Sequence, residues 1–228
     1  MKTKSAIICA YNEAGTIKDV VSIVSDYFFD EVIVVNDGST DETDFILQEM
    51  KDLHNIKCIT LPENKGKGFA MATGIEETAS EIIVFIDADL SNLQEDHFAQ
   101  LITPVINNEA DMVLGQATET LINYNLNPFK SFTGERTVLR KDILPLVDKM
   151  KESRFGVETL INLYYQSEGK TVKYVMLDKL EHPTKFDKTS PSQAMKEYVK
   201  EGHQITLTAF KNFDLITKTV RSRISKHT

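Results

Sequence analysis

The sequence predicts an α/β fold with a mostly parallel sheet flanked by helices on both faces. In the first 90 residues, four short apolar runs alternate with three helical patterns. The runs at Ser5–Ala10, Glu31–Val35 and Ile82–Ile86 are apolar without alternation, as expected of strands covered on both faces. Polar residues follow them directly: Tyr11-Asn12-Glu13, Asn36-Asp37 and Asp87-Ala88-Asp89. Open sheets of this kind bind ligands beyond the carboxyl ends of their strands, where strand order reverses.

After the first strand, Asn12 and Gly15 mark a turn, and Ile17, Val20, Val21, Val24, Tyr27 and Phe28 fall at helical spacing on one face. The second strand leads through Asp37-Gly38-Ser39-Thr40 to a helix over Glu42–His54, facing inward through Ile46, Met50 and Leu53. A strand over Ile56–Leu61, a glycine-rich helix entry at Lys65-Gly66-Lys67-Gly68, a helix to about Thr78 and the strand Ile82–Ile86 continue the alternation. Beyond Asp89 we expect a helix over Asp96–Asn107 disturbed by Pro104, a strand at Asp111–Gly115, and a loop over the site at Ala117–Thr133. Arg136–Leu139 reads as a strand, Asp142–Met150 and Val157–Ser167 as helices, and Thr171–Leu177 as a strand. A long helical pattern with a basic tail begins at Pro191.

At 228 residues the chain is long enough for one sizeable core with its own site. A hydrophobic share of 41% and a charged share of 26% place it among ordinary globular proteins rather than disordered or fibrous ones. The net charge of -8 argues against a general nucleic-acid binder, which needs surplus cations for phosphate. No apolar run approaches the roughly 18 to 20 residues of a membrane helix, and Met1–Lys4 leads straight into a strand, so a cytoplasmic location is expected. Cys9 and Cys58 lie in apolar β-prone runs without neighbouring ligands, which predicts free buried thiols. His54, His97, His203 and His227 lack acidic or basic company and read as surface groups.

Two aspartates around one small residue at a strand end present two carboxylates at the rim, with Ala88 leaving room for a ligand. Hard oxygen donors suit Mg²⁺ or Mn²⁺, which keep positions open for substrate phosphates. A strand also often ends in a merely solvated Asp, so the triplet gains meaning from its company. Asp37 could accept from a pyrimidine N–H or simply form a turn, and Ser39 or Thr40 could cap the following helix. Lys65-Gly66-Lys67-Gly68 precedes a helix, where backbone N–H groups and cationic side chains meet phosphate. Its spacing matches neither a Walker loop nor a dinucleotide fingerprint.

Together, Ala10-Tyr11-Asn12-Glu13, Asn36-Asp37-Gly38-Ser39-Thr40-Asp41, Asn64-Lys65-Gly66-Lys67-Gly68 and Asp87-Ala88-Asp89 resemble the nucleotide-binding half of family-2 glycosyltransferases. The resemblance implies a GT-A fold, a nucleotide-sugar donor, most commonly of uridine diphosphate, and Mg²⁺ or Mn²⁺ held chiefly by Asp89. It implies that Ala10, Tyr11 and Glu13 border base and ribose, Asp37 reads the uracil edge, Lys67 faces the donor and Asp87 the ribose side. The second half resembles the glucosyl-3-phosphoglycerate synthase and mannosylglycerate-type branch. Phe155-Gly156-Val157-Glu158-Thr159 matches its Gly-X-Glu helix entry, and Thr133-Gly134-Glu135-Arg136-Thr137 stands where it binds acceptor. His182 falls where those relatives supply a histidine to the cation. Glu135 interrupts the Gly-Arg pair and the chain is shorter, which leaves the acceptor open.

On this reading Glu158 is the catalytic candidate, as a general base or a ligand to a sugar hydroxyl; its bland role is to stabilise a helix N-terminus. Gly134, Arg136 and Thr137 are the acceptor candidates, Arg136 by a bidentate contact to phosphate or carboxylate, against a surface pairing with Glu135 or Asp142. Asp89 and His182 are the metal candidates. The expected activity is hexosyl transfer from UDP-glucose or a similar donor to a small phosphorylated, carboxylated or lipid-linked acceptor. A nucleotidyltransferase and a non-catalytic nucleotide-sugar-binding protein are the alternatives. Residues 1–190 form the expected GT-A catalytic domain, with 1–90 the nucleotide-sugar-binding half and 91–190 the acceptor side. Residues 191–228 form a helical extension whose basic tail could lie on a membrane surface, pack on the domain, or contact a second copy in a homodimer.

Overall fold

The computed structural model describes residues 2–54, 56–117, 134–181 and 191–225. Among the described residues, seven strands form one sheet in the order β3-β2-β1-β4-β6-β5-β7: β1 Lys4–Ala10, β2 Glu31–Asn36, β3 Lys57–Thr60, β4 Ile82–Asp87, β5 Met112–Ala117, β6 Arg136–Leu139 and β7 Val172–Leu177. β1 pairs in parallel with β2 and β4, β2 with β3, and β5 with β7, whereas β6 is antiparallel to both β4 and β5. The chain moves outward from β1 to β3 and returns to the other side of β1 at β4. That reversal is the switch point at which a crevice opens beyond the strand ends.

The apolar runs explain the layering. In β1, Ala6 and Ile8 face one core while Ile7 and Cys9 face the other; Val32 and Val34 oppose Ile33 and Val35 in β2 in the same way. Helices α1 (Ile17–Asp26), α2 (Thr43–His54) and α4 (Glu95–Ile106) cover the first face, through Val20, Val24, Leu47, Met50, Phe98 and Leu101. Helices α3 (Lys67–Glu77), α6 (Val147–Ser153) and α7 (Val157–Ser167) cover the second, through Ala70, Met71, Ile75, Met150, Val157 and Ile161. The small residues of α3 bring it close to the sheet: a Cβ at Gly74 would stand 2.5 Å from Ile7 Cγ2.

Several expectations shift. Helix α1 ends at Asp26, so Tyr27 and Phe28 leave its apolar face, and Phe28 is exposed where the chain turns extended. Leu47 is fully buried and Ile46 only partly so; the side chain of Leu53 lies outside the described residues. The span expected as one helix at Asp142–Met150 is broken into α5 (Arg140–Ile143), a 3₁₀ turn at Leu144–Leu146 and α6, because Pro145 cannot donate into a continuous helix. Pro104, by contrast, is accommodated within α4. His97 is a correction: it is buried, its Nδ1 accepts the Gln94 N–H at 3.2 Å, and its Nε2 lies 2.9 Å from the Asp178 carbonyl. His203 is exposed; His227 and the side chain of His54 lie outside the described residues. Ala117 ends β5, and the rest of the expected loop, residues 118–133, is likewise outside them.

From Pro191 the chain forms two helices, α8 (Pro191–Lys211) and α9 (Phe213–Ser225). Leu215 of α9 is buried in the second core, and Thr208 of α8 is buried against the turn before α7. No described helix is long and apolar enough to cross a membrane.

Candidate active-site cleft

A cleft of about 500 Å³ opens beyond the carboxyl ends of β1, β2 and β4. Strand register gathers its polar walls: Ala10 pairs with Asn36, and Cys9 with Asp87. Ala10, Tyr11, Glu13, Asp37, Lys67, Asp87 and Asp89 all line it, so every donor candidate and one metal candidate from the sequence meet in one place. Asn64, Gly66 and Phe155 also line it and were not among the site candidates. Asn64 and Gly66 belong to the recognised loop, whereas Phe155 comes from the far half of the chain, where only the fold could place it.

The rim is locked by side-chain to backbone bonds. Asn12 takes a positive φ of 57°, which asparagine tolerates; its N–H donates to Ser39 Oγ at 3.0 Å and its Oδ1 accepts the Thr40 N–H at 2.8 Å. Ser39 and Thr40 therefore join two loops instead of capping α2. At α2, Asp41 Oδ1 accepts the Thr43 N–H at 3.0 Å while Thr43 Oγ1 accepts the Glu13 N–H at 2.9 Å. Thr16 donates its hydroxyl to the Ala88 carbonyl at 2.8 Å, fixing the acidic triplet to the start of α1.

Asp37 is 3% exposed, and its two oxygens accept the N–H groups of Lys65 and Gly66, each at 2.8 Å. It thus fixes the loop that carries Lys67, and each oxygen keeps further acceptor capacity. Burial pushes its carboxyl above the usual range, partly offset by those two N–H groups and by the charges of Arg154 and Lys65. Gly66 takes a φ of +97° and lies against Arg154, where a Cβ would come within 3.0 Å of Arg154 Cγ. The glycines here allow α3 to enter against the turn after α6.

At the base of the cleft, Lys67 Nζ lies 2.8 Å from Asp87 Oδ1 and 2.7 Å from Glu158 Oε1. Burial pulls the Lys67 ammonium down, but the charges of Asp87 and Glu158 outweigh it and hold it well above the usual lysine range. Asp87 is pushed up to about 6, first by burial and then by Glu135, Asp89 and Glu158, with Lys67 opposing. Burial raises Glu158 too, but Lys67 and Arg136 reverse this, and its carboxyl lies below the usual range. Glu158 sits in the first turn of α7, behind Lys67, and is not itself among the lining residues.

The acceptor candidates are placed differently from one another. Gly134 presses on Asp87, where a Cβ would overlap both carboxylate oxygens. Arg136 and Thr137 are fully buried in β6, opposite Phe85 and Val84 of β4, so neither side chain faces the open cleft and Arg136 does not lie on the surface. Burial lowers Arg136 against the raising charges of Glu158, Asp87 and Glu135, so this guanidinium supplies positive charge from behind the cleft.

Among the described residues no group of three or more His, Cys, Asp or Glu side chains could hold a metal ion. His182, the expected second metal ligand, lies outside them. The donor set that faces the cleft still suits a hard divalent ion, since Mg²⁺ needs only one or two carboxylates when substrate phosphates and water complete its shell. Among the described residues the cleft is lined by Glu13, Asp37, Asp87 and Asp89, with Lys67 as the cation among them.

Comparison with known proteins points the same way. Residues 5–192 match the family model described as glycosyl transferase family 2. Over 87 residues the chain is 38% identical to a poly-beta-1,6-N-acetyl-D-glucosamine synthase of Staphylococcus epidermidis, covering 37% of this chain and 21% of that protein. Over 125 residues it is 35% identical to the UDP-N-acetylglucosamine–dolichyl-phosphate N-acetylglucosaminyltransferase of Methanococcus voltae, covering 48% and 49%. The chain thus matches less than half the length of either relative. Glucosyl-3-phosphoglycerate synthase from Mycobacterium tuberculosis, solved with Mn²⁺, uridine diphosphate and glucosyl-3-phosphoglycerate, superposes with a TM-score of 0.72 at 21% identity, covering 92% of this chain and 79% of that one. At that identity the likeness establishes a shared fold.

Proposed function

This chain belongs to glycosyl transferase family 2, and on that footing we propose that it transfers a hexosyl group from UDP-glucose or a similar nucleotide sugar to a phosphorylated, carboxylated or lipid-linked acceptor. The observation that carries the proposal is the charge of the cleft. Among the described residues, four carboxylates and one ammonium line it, and a divalent cation offsets the repulsion a diphosphate meets at such walls. The Mycobacterium tuberculosis enzyme of the same fold was solved with UDP-glucose and Mn²⁺, which supports the choice of donor and ion.

Asp89 is the proposed metal ligand from the described part of the cleft, and His182 joins it on the resemblance alone. Bound there, Mg²⁺ or Mn²⁺ would neutralise charge growing on the departing diphosphate. The chain's own residues do the remaining work. Ala10, Tyr11 and Glu13 border the nucleoside, Asp37 offers its remaining lone pairs to the uracil edge, and Asp87 faces the ribose side. Lys67 is poised between Asp87 and Glu158; as it turns toward the donor phosphates, Glu158 loses its nearest counter-charge and its basicity rises. Glu158 then accepts a proton from an acceptor hydroxyl or holds a sugar hydroxyl. Gly134 keeps Asp87 in place, and Arg136 and Thr137 back the acceptor side from within β6.

A thermal-shift screen of nucleotide sugars with and without Mn²⁺ tests this, since a ligand of the native state raises its melting temperature. UDP-glucose should stabilise only in the presence of the cation, and Asp89→Ala should abolish that dependence. No stabilisation by any nucleotide sugar, or release of pyrophosphate in place of nucleoside diphosphate, would overturn the proposal.

Peripheral contact with an anionic membrane surface on the cytoplasmic side belongs to the same proposal. Helices α8 and α9 expose Val199, Leu207, Phe210 and Phe213, with Phe210 79% accessible. Lys211, Lys218, Arg221, Arg223 and Lys226 make this end cationic in a chain of net charge -8. Flotation with phosphatidylserine-containing liposomes should carry the full chain and lose it when the last dozen or so residues are removed. A protein that stays in the buffer and sediments as a homodimer would assign the apolar face to a second copy.

A further inference from the structure

We propose that helix α8 is a working part of the cleft, with Gln204 a positioning residue that sets the turn Arg154–Gly156 and, through it, Phe155 and Glu158. The proposal rests on the glycosyltransferase reading for its activity readout, but its geometry stands independently.

The turn lies between two fixed surfaces. On the cleft side, Phe155 is a lining residue and Arg154 packs against Gly66, next to Lys67. On the other side, the Phe155 N–H donates to Gln204 Oε1 at 3.2 Å. One residue later, Gly156 meets the buried Thr208 so closely that a Cβ would overlap its hydroxyl oxygen. Gly156 is also the residue from which α7 starts, without a side-chain cap, and Glu158 follows within its first turn.

Arg154 shows why such a brace is needed. Its φ of 48° and ψ of -122° form a conformation that a non-glycine residue keeps only where the surroundings dictate it. The preceding helix α6 ends there, and the chain must reverse tightly into α7 without an internal cap. Gln204 accepts the Phe155 N–H in the middle of Arg154–Gly156, which is a 3₁₀ turn, and Thr208 closes off the space behind Gly156. A shift of the turn would move the Glu158 carboxylate away from Lys67, while β1, β2 and β4 would still present the donor residues unchanged.

Two substitutions separate positioning from general stability. Gln204→Leu removes the acceptor at similar size, and Gln204→Glu keeps an acceptor oxygen. The readouts are hydrogen–deuterium exchange over residues 154–158 and steady-state hydrolysis of UDP-glucose with Mn²⁺. In Gln204→Leu, exchange in that segment should rise about ten-fold and kcat fall about ten-fold, with KM for UDP-glucose within about two-fold of the parent. Gln204→Glu should restore both. Unchanged exchange in Gln204→Leu overturns the proposal, as does faster exchange with unaltered kcat. If the parent protein hydrolyses no UDP-glucose, it is the choice of that donor that fails, and the exchange of the two variants alone decides whether Gln204 holds the turn.

Discussion

The backbone of Gly134 lies against the Asp87 carboxylate so closely that a Cβ at position 134 would overlap both of its oxygens. Asp87 also carries the ion pair to Lys67, so a methyl group at 134 should disturb the whole base of the cleft. Gly134→Ala is expected to lower stability by about 1–3 kcal/mol through overpacking, and to weaken Mn²⁺-dependent UDP binding at least ~10-fold. Gly202, in α8, has open space around it, and Gly202→Ala should leave binding unchanged while stabilising by about 0.4–1 kcal/mol. Urea melts and calorimetric titration of both variants check this; wild-type UDP affinity in Gly134→Ala would refute it.

Lys67 is the shared cation of Asp87 and Glu158, whose side chains are only 21% and 15% exposed. Removing it in Lys67→Met leaves two carboxylates facing each other without their nearest cation, and a loss of about 2 kcal/mol or more is expected. Adding Glu158→Gln to that variant should recover part of the loss, giving a coupling energy of about 0.5–3 kcal/mol between the two positions. Strict additivity in a urea double-mutant cycle would show that the Lys67–Glu158 contact carries no weight.

The nucleotide half of the fold was legible because its strands are buried on both faces, so Ile7, Ile33 and Ile83 sit in unbroken apolar runs that announce a covered sheet. Acidic residues directly after those runs then had to meet at one rim, and the parallel pairing of β2-β1-β4 brings Asp37 and Asp87 there. The acceptor side was less legible. Arg136 looks like an available cation in sequence, but only the antiparallel insertion of β6 between β4 and β5 shows that it is buried. Asp37 and Ser39 likewise carry no mark in sequence of the loops they hold. Phe155 reaches the cleft through a turn braced by Gln204, 49 positions away in the chain, a contact that no local pattern encodes.

The acid response of the metal-free protein should have two limbs of opposite sign. Asp87 binds its proton more tightly in the folded chain, at about 6 against a reference of 3.8, so stability falls as pH rises through that window and climbs as pH falls through it. Asp37 is shifted in the same direction. Glu158 and Asp41 lie below their references of 4.5 and 3.8, so the stability they contribute is present above those values and lost as pH falls below them. Melting temperatures with chelator present should therefore rise from pH 7 toward about pH 5 and collapse at lower pH, with the Asp87 contribution reaching at most about 3 kcal/mol. Asp87→Asn should flatten the first limb and spare the second. A variant curve that parallels the parent from pH 7 to pH 4 would contradict the assignment.

Cys9 lines the cleft and is only half-buried as a residue, yet its thiol should be inert at neutral pH. Burial drives it far above the usual thiol range, with Asp87 and Asp37 adding to the effect and Lys67 opposing it. Burial also raises Cys58, whose Sγ lies 3.8 Å from the Leu47 carbonyl as a weak donor. Thiolate is the reactive form, so a disulfide reagent at pH 7.5 should label both thiols at least ~100-fold more slowly in the native protein than in urea. The two should part under mild opening: UDP with Mn²⁺ is expected to slow Cys9 further and to leave Cys58 unaffected, because only Cys9 borders the cleft. Fast native labelling of Cys9, located by peptide mass, would mean that its wall of the cleft is wetter and more cationic than the carboxylates around it allow.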